Sequence, residues 1–213
     1  MKSELEQLLR SNAMLWRGGE GARPAVYPSG HPALDAVLPA GGWPRAALVE
    51  MVVPRWGVGE LQLWLPLLAR LSQAQQYVVW LVPPYVPYAP ALIRAGVALE
   101  QVRVIPRLES EQAVLWSAER LLRAPACGVV LLWLSRLSAR EARRLQLAAA
   151  AGQGVGVVFL PRDGGASPAA LRLQLVPKRD GMQLRIVKAR GGVAGRCVDL
   201  PWAHLQRASE GEL

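Results

Sequence analysis

The sequence predicts an α/β domain in which a mainly parallel β-sheet is flanked by helices, with a basic β-hairpin near the C-terminus. Short apolar runs of strand length alternate with helical segments along most of the chain. One of these runs enters a loop with two glycines and continues as a leucine-rich helix. After residue 162 the pattern changes to two alternating segments around an Asp-Gly turn, which is typical of a hairpin.

The composition fits one domain with a full hydrophobic core. The chain has 213 residues, of which 52% are hydrophobic, and a formal net charge of +9. The excess of arginine and lysine favours an anionic partner, most simply nucleic acid, and a basic surface kept for solubility is the alternative. The two cysteines, Cys127 and Cys197, provide neither a disulfide framework nor a metal motif. We expect no signal peptide, no membrane span and no metal site, and hence a reduced, cytoplasmic protein.

The chain divides into four parts by composition. Met1–Met14 is predicted to form an amphipathic helix, and Arg17–Pro28 is a linker rich in glycine and proline. We place the helix and linker at residues 1–28, the core at 29–161, the hairpin extension of the core at 162–200 and a tail at 201–213.

The central stretch of the core reads as strand, glycine loop and helix. Ala46–Val53 is an apolar strand, Pro54–Gly59 is the loop, and Glu60–Ser72 is the helix. Pro66 lies at the seventh position of this helix and is expected to kink it, at a cost of about 3 kcal/mol. Loop amides before a helix N-terminus can hold the phosphates of a nucleotide. The same pattern also occurs in α/β domains that bind no nucleotide.

The loop lacks the side chains that phosphate binding requires. A lysine should contact the phosphates and a hydroxyl should bind magnesium, but Val58 and Gly59 stand there, followed by Glu60. The Glu60 carboxylate would repel phosphates by about 4 kcal/mol at 4 Å and an effective dielectric of 20. We therefore predict a degenerate nucleotide loop without a cofactor, made of Gly57, Val58, Gly59 and Glu60. An ATPase with a rearranged site, using Arg55 on the phosphate, is one alternative.

The remaining core elements follow in order from apolar periodicity and capping signals. They are a short helix over His31–Leu38, a strand over Tyr77–Val82, a helix over Tyr88–Ala95, a strand over Val102–Ile105, a helix over Glu109–Arg123, a strand over Val129–Leu134, a helix over Ser138–Ala151 and a strand over Val155–Leu160. A proline-rich, aromatic segment, Pro83–Pro90, follows the second core strand and suits contact with a protein, or is a stiff structural loop.

Two groups of basic residues are candidate contacts for DNA or a protein partner. Arg140, Arg143 and Arg144 share one face of a helix near its N-terminus, where positive charge opposes the macrodipole. The hairpin consists of Leu171–Val176 and Met182–Ala189, and residues 162–196 contain eight basic and two acidic side chains, a difference of +6. A solvated edge is the alternative to a surface that follows a phosphate backbone. The candidates from this region are Arg172, Lys178, Arg179, Arg185, Lys188, Arg190 and Arg196.

The order and spacing of the core segments resemble the RecA ATPase core. The matching positions at its entry are Gly30, Leu34, Asp35, Gly41, Gly42, Pro44, Val49 and Glu50. The resemblance places Pro83 and Pro84 where RecA-type ATPases carry a catalytic glutamate, and Trp133 where they carry a metal-binding aspartate. Neither proline can act as a base and an indole cannot bind magnesium, so the resemblance implies a RecA-like core without ATPase activity.

Shorter segments resemble the ImuA family of accessory proteins from bacterial SOS mutagenesis operons. They are Leu15–Gly18, Gly30–Pro44, Gly57–Leu61, Pro83–Leu92, Arg143–Gly152 and Arg190–Gly192. This resemblance implies a non-catalytic adaptor in SOS-induced translesion DNA synthesis, a form of error-prone DNA repair. The implied partners are ImuB, an inactive Y-family polymerase homologue, a DnaE2-type polymerase, RecA and DNA.

The sequence also resembles SulA, a RecA-related inhibitor of cell division. This resemblance implies an alternative function, in which the protein binds the division protein FtsZ. The basic hairpin and the ImuA-like segments favour the adaptor over the inhibitor.

Overall fold

The computed structural model describes residues 25–209. The predicted helix over Met1–Met14 and the linker up to residue 24 lie outside the described residues.

A large, mostly parallel sheet forms the centre of the molecule. Its eight strands are β3 (Ala47–Val52), β4 (Tyr77–Leu81), β5 (Val102–Ile105), β6 (Cys127–Trp133), β7 (Val155–Leu160), β8 (Leu171–Lys178), β9 (Gly181–Ala189) and β10 (Cys197–Pro201). They lie in the order β10-β9-β8-β3-β7-β6-β4-β5. The six strands from β8 to β5 run parallel, whereas β9 and β10 are antiparallel to their neighbours. A separate two-stranded antiparallel sheet consists of β1 (Val26–Tyr27) and β2 (Trp43–Pro44).

Helices cover both faces of the large sheet. They are α1 (Pro32–Asp35), α2 (Leu65–Gln73), α3 (Ala89–Arg94), α4 (Glu111–Arg123), α5 (Ala139–Gly152) and α6 (Trp202–Ser209), with 3-10 turns at Pro39–Gly41, Glu60–Leu63 and Leu99–Gln101. The fold is therefore mixed α/β with a large, mostly parallel sheet flanked by helices, as the sequence predicts.

Alternation along the strands divides the core into two layers. One layer contains the side chains of α1, α2 and α6 and includes Trp43 and Trp64, whose rings stack 4.2 Å apart. The other layer lies under α4 and α5 and includes Leu48, Val130 and Leu145. Each central strand is buried on both faces, which explains why its sequence is apolar, with Glu50 of β3 as the charged exception.

The helix after the glycine loop differs from the prediction. Glu60–Leu63 forms a 3-10 turn, and α2 begins only at Leu65, so that Pro66 lies in its first turn. A proline there loses no intrahelical hydrogen bond, because the first amides of a helix have no partner. The expected kink is therefore absent from this helix.

The C-terminal region is more ordered than the predicted tail. Pro201 ends β10, and α6 follows directly, with Leu205 fully buried in the core. The hairpin of β8 and β9 pairs as predicted, with Lys178 opposite Gly181 across the turn. However, β8 also pairs with β3, so the hairpin is part of the main sheet.

No helix within residues 25–209 combines the length and the apolar character needed to cross a membrane.

Candidate functional site

The glycine loop after β3 is closed by a carboxylate from its own chain. Gly57 and Gly59 have φ values of 79° and 91°, in the left-handed region that favours glycine. The backbone amide of Gly57 donates to Glu60 Oε1 at 3.1 Å, and the amide of Val58 donates to Glu60 Oε2 at 2.9 Å. Glu60 is only 3% exposed. The two amides that would face an anion are thus already bonded to a buried carboxylate.

The sequence predicts only that Glu60 repels phosphates, whereas the structure shows that its carboxylate also occupies the amides that would bind them. Successive amides in a turn form a cradle for an anion. Here Glu60 supplies that anion internally, because the 3-10 turn that follows the loop folds its side chain back over Gly57 and Val58. A phosphate could reach these amides only by displacing the carboxylate.

Aromatic side chains cover the same loop. A Cβ atom built on Gly59 would lie 2.6 Å from the ring of Trp202, so only glycine fits under this side chain of α6. Trp202 is fixed in turn by its Nε1, which donates to the carbonyl of Arg179 at 3.3 Å. On the other side, the ring of Tyr85 lies 3.6 Å from the Cβ position of Gly57.

Three stacked rings fill the carboxyl ends of the central strands. Trp133 of β6 lies between Trp80 of β4 and Phe159 of β7, with ring centroids 5.8 Å and 4.7 Å away. All three are buried, and Trp133 is 6% exposed. The position that the RecA resemblance assigns to a metal-binding carboxylate is therefore part of an apolar stack, which has no ligand atom for a hard cation.

The structure places Arg172, a predicted DNA contact, inside the protein. Arg172 is 5% exposed, and its Nε donates to Glu50 Oε2 at 2.6 Å. It also donates to Asp163 and to the carbonyl of Gly165, and the Ser167 hydroxyl donates to Glu50. The prediction for Arg172 is wrong because its guanidinium neutralises a buried carboxylate, so it cannot reach a surface ligand.

Two more basic residues of the hairpin bond to the segment between β7 and β8. Lys188 donates to the carbonyl of Ser167, and Arg190 donates to that of Pro168 at 3.1 Å. Burial, together with the positive charges of Arg190 and Arg172, lowers the pKa of Lys188. These side chains therefore hold the connecting segment against the edge of the sheet.

The remaining hairpin residues lie at the surface. Lys178 pairs with Asp199 at 2.5 Å, and this hydrogen bond lowers the pKa of Asp199. Arg179, Arg185 and Arg196 are exposed and form no ion pair within the described part of the chain.

The three arginines predicted to cluster on a helix are also exposed, and they lie on α5, away from the hairpin strands. Arg140, Arg143 and Arg144 all face solvent. Arg144 forms a bidentate pair with Glu119 of α4, at 3.1 Å and 2.6 Å, which raises the pKa of Arg144. The basic candidates therefore occupy two different elements of the fold instead of one continuous surface.

Two carboxylate contacts were not predicted from the sequence: the pair of Glu50 with Arg172, and the hydrogen bonds of Glu60 to the amides of the glycine loop. A signal for the first was Glu50 itself, because a charge within the apolar strand Ala47–Val52 requires a buried partner. Its partner is directly opposite, since the register of β3 and β8 pairs Glu50 with Arg172. The contact between Glu60 and the loop had no comparable signal, because it depends on the 3-10 turn.

Comparisons with known proteins identify the family. A family model described as "Cell division inhibitor SulA" matches residues 50–156. SulA from Edwardsiella piscicida is 32% identical over 148 residues, which cover 66% of this chain and 88% of that protein. SulA from Photorhabdus laumondii subsp. laumondii is 32% identical over 99 residues, covering 46% of this chain and 55% of the relative. SulA from Yersinia pestis is 34% identical over 103 residues, covering 47% and 59%.

Two solved structures are also similar. The RadB recombinase superimposes with a TM-score of 0.61 over 82% of this chain and 94% of its own, at 14% identity, which shows a shared fold. SulA from Pseudomonas aeruginosa gives a TM-score of 0.44 at 28% identity, covering 54% of this chain and 98% of its own.

These matches correct the adaptor hypothesis. The predicted translesion function and its partners, ImuB, a DnaE2-type polymerase, RecA and DNA, are contradicted by matches that point to SulA and not specifically to ImuA. The adaptor hypothesis rests on the ImuA-like segments and on the basic hairpin, but three basic side chains of the hairpin, Arg172, Lys188 and Arg190, bond to the protein itself. The family model spans half of the chain and the Edwardsiella relative aligns over most of its length, so this chain belongs to the SulA family.

Proposed function

We propose that this protein inhibits cell division by binding the division protein FtsZ in the cytoplasm, and that it is not an enzyme. The observation that carries the proposal is the match to the family model over residues 50–156, supported by a SulA relative that is aligned over 88% of its length. The matched region contains the glycine loop, two of the three stacked rings, Trp80 and Trp133, and the proline-rich segment after β4.

The geometry of the loop supports a function without nucleotide hydrolysis. Glu60 occupies the amides of Gly57 and Val58, and Trp133 lies in an aromatic stack where a metal ligand would be needed. We infer a RecA-like core that has kept the shape of a nucleotide-binding domain and has filled the site with its own side chains. Such a protein acts through its surface.

The surface best suited to a protein partner is the proline-rich segment and the helix α3 that follows it. It exposes four large apolar side chains: Tyr85 at 66%, Val86 at 87%, Tyr88 at 68% and Ile93 at 57%. Exposed apolar side chains close together indicate an interaction site, and tyrosine is enriched at interfaces. The prolines of the segment limit its conformations, so little entropy is lost on binding. We infer that this apolar patch contacts FtsZ.

The test is the GTPase and sedimentation assay of FtsZ in the presence of the purified protein. The unmodified chain should lower both the GTPase rate and the polymer yield. The variant Val86→Asp with Tyr88→Asp should lose most of this inhibition, because charges in a desolvated contact lack partners. Val193→Asp is the matched control, since Val193 is 69% exposed but lies outside the matched region.

Two outcomes separate the function from the surface. Unchanged FtsZ activity at a stoichiometric excess of the unmodified protein would contradict the proposed function. Inhibition by the unmodified protein that survives in the double variant would leave the function in place and reject the apolar patch.

A further inference from the structure

The outer face of α4 and α5 carries an unusual combination of arginine and exposed apolar side chains. On α4, Trp116, Arg120 and Arg123 follow the spacing i, i+4 and i+7, which places them in one stripe. On α5, Arg140, Arg144 and Leu147 follow the same spacing. All six side chains are exposed. We call these six residues the arginine–tryptophan face.

Two ion pairs join α4 to α5 and to the residues before α5, which brings the two stripes together on one surface. Glu119 of α4 accepts two hydrogen bonds from Arg144 of α5, at 3.1 Å and 2.6 Å. A second pair, Arg136 with Glu111 at 3.5 Å, joins the start of α4 to the residues just before α5. Leu115 and Leu145 line a shallow cleft between the helices. The two helices therefore lie side by side, with both stripes directed outward.

Three of the four arginines of the face have no ion-pair partner among the described residues, and only Arg144 is paired. Arg120, Arg123 and Arg140 form no ion pair with any carboxylate in the part of the chain that the structure describes. The nearby carboxylates are already engaged. Glu119 is bonded to Arg144, and Glu141 accepts from the amide and the hydroxyl of Ser138 at 2.8 Å and 2.7 Å in a capping box.

The apolar side chains of the face are largely exposed to solvent. Trp116 is 56% exposed and Leu147 is 44% exposed. The guanidinium of Arg120 lies 5.3 Å from the centre of the Trp116 ring, within the range of a cation–π contact. Tryptophan and arginine are the residue types most enriched in binding hot spots.

We propose that the arginine–tryptophan face binds an acidic protein segment that carries an apolar side chain. The carboxylates of such a segment would pair with Arg120, Arg123 and Arg140, while its apolar side chain would pack on Trp116 or Leu147. A nucleic-acid backbone fits less well, because it has no aliphatic side chain to pack on the exposed Leu147 beside the arginines. This face is separate from the apolar patch of Tyr85 and Tyr88, so the inference goes beyond the proposed inhibition of FtsZ.

The experiment measures fluorescence anisotropy with the full chain and a labelled synthetic peptide of glutamates interrupted by two leucines. A peptide with serine in place of leucine and a labelled DNA duplex are the comparison probes. The variants are Trp116→Ala and the pair Arg123→Glu with Arg140→Glu. The control pair, Arg179→Glu with Arg185→Glu, changes the net charge by the same amount at exposed positions of the hairpin.

The face should distinguish these probes and variants. We expect the leucine peptide to bind about tenfold more weakly to the Arg123 and Arg140 variant, because two attractive charges become repulsive. Trp116→Ala should lower the affinity for the leucine peptide by about fivefold and the affinity for the serine peptide far less, because only the leucine peptide packs on the indole. The control pair should retain at least half of the unmodified affinity.

Three results would overturn the proposal. Equal losses in the face variant and the control pair would mean that net charge alone attracts the peptide. Tighter binding of the duplex than of the peptide, abolished by the same face variant, would assign the face to nucleic acid. If the Arg123 and Arg140 variant lost both peptide binding and the inhibition of FtsZ in the GTPase assay, the face would belong to the FtsZ contact rather than to a second partner.

Discussion

Glu50 and Arg172 form a salt bridge of 2.6 Å between neighbouring parallel strands, and their side chains are only 1% and 6% exposed. The two residues are directly opposite in the register of β3 and β8. The pair fixes β8, and with it the hairpin, to the central sheet. A residue that the sequence assigns to DNA contact therefore serves to join two parts of the fold.

Removing one member of this pair should destabilise the protein strongly. Arg172→Met leaves the carboxylate of Glu50 buried without its cation, and we expect the free energy of unfolding to fall by about 3–5 kcal/mol. Urea denaturation followed by circular dichroism measures this change. The double variant Glu50→Met with Arg172→Met should recover most of the loss, because neither charge is then buried alone. A single-variant loss near that of an exposed pair, about 0–1 kcal/mol, would contradict this role.

Replacing Glu60 with alanine should lower the stability of the protein and raise the affinity of the glycine loop for anions. Glu60→Ala deprives the amides of Gly57 and Val58 of their acceptor, so we expect a loss of about 1–3 kcal/mol in urea unfolding. Inorganic phosphate should then stabilise the variant more than the unmodified protein at matched ionic strength, because the freed amides can bind an anion. The exposed Glu109→Ala is the control. Equal phosphate effects on both proteins would show that the amides do not form an anion cradle.

Nucleotide should leave the thermal stability of the unmodified protein unchanged. A ligand present at 100 times its Kd stabilises a folded protein by about 2.7 kcal/mol, which gives a clear rise in melting temperature. We expect no such rise with Mg-ATP or Mg-GTP in differential scanning fluorimetry, since Glu60 and Trp202 occupy the loop. A reproducible shift with either nucleotide would show that the site still opens.

The capping box of α5 should contribute a stability that depends on pH. The hydroxyl and amide of Ser138 hold the pKa of Glu141 below its ordinary value. A carboxyl group with a depressed pKa stabilises the fold above its unfolded pKa, and this contribution is lost as the pH falls through the folded pKa. Ser138→Ala should therefore cost about 1 kcal/mol near neutral pH, and the difference from the unmodified protein should shrink in acid. Ser135→Ala, at an exposed position outside the helix, is the control in urea titrations at both pH values. A constant difference across pH would exclude the Glu141 contact as its source.

The two cysteines should react very differently with thiol reagents. Burial raises the pKa of Cys127 to about 12, so its thiolate is scarce at neutral pH and the reagent cannot reach it. Cys197 is exposed. Titration with Ellman's reagent should show one fast thiol in the native protein and a second one only in denaturant. Cys197→Ser should remove the fast reaction, and its persistence would mean that Cys127 becomes accessible in the native state.

Several elements could be read from the sequence because their causes are local. The Asp-Gly turn and the flanking alternation predict the hairpin, which β8 and β9 form, although Lys178 pairs with Gly181 and the loop residues are therefore Arg179 and Asp180. The capping box of α5 follows from Ser138 and Glu141, since the cap involves residues three positions apart. The buried strands follow from apolar runs that only Glu50 interrupts, because a parallel sheet covered on both faces leaves no solvent side.

Other features depend on contacts between distant parts of the chain. Alternation places Arg172 on one face of β8, but only pairing with β3 shows that this face meets Glu50 instead of water. Pro66 is compatible with a kinked long helix or with the start of a shorter one, and the 3-10 turn at Glu60–Leu63 selects the second. The position of Trp202 over Gly59, from a segment that the sequence assigns to a tail, could not be predicted from local patterns.

The sequence by itself therefore determined the α/β class, the order of the main elements from β3 to β9 and the lack of nucleotide-binding side chains at residues 57–60. Those properties follow from periodicity, turn chemistry and the identity of single residues. Only the tertiary structure decided which charges face solvent and what fills the glycine loop. The physical reason is that burial and pairing of a charge depend on the neighbours it meets across strands, and residues 50 and 172 become neighbours only when the sheet has formed.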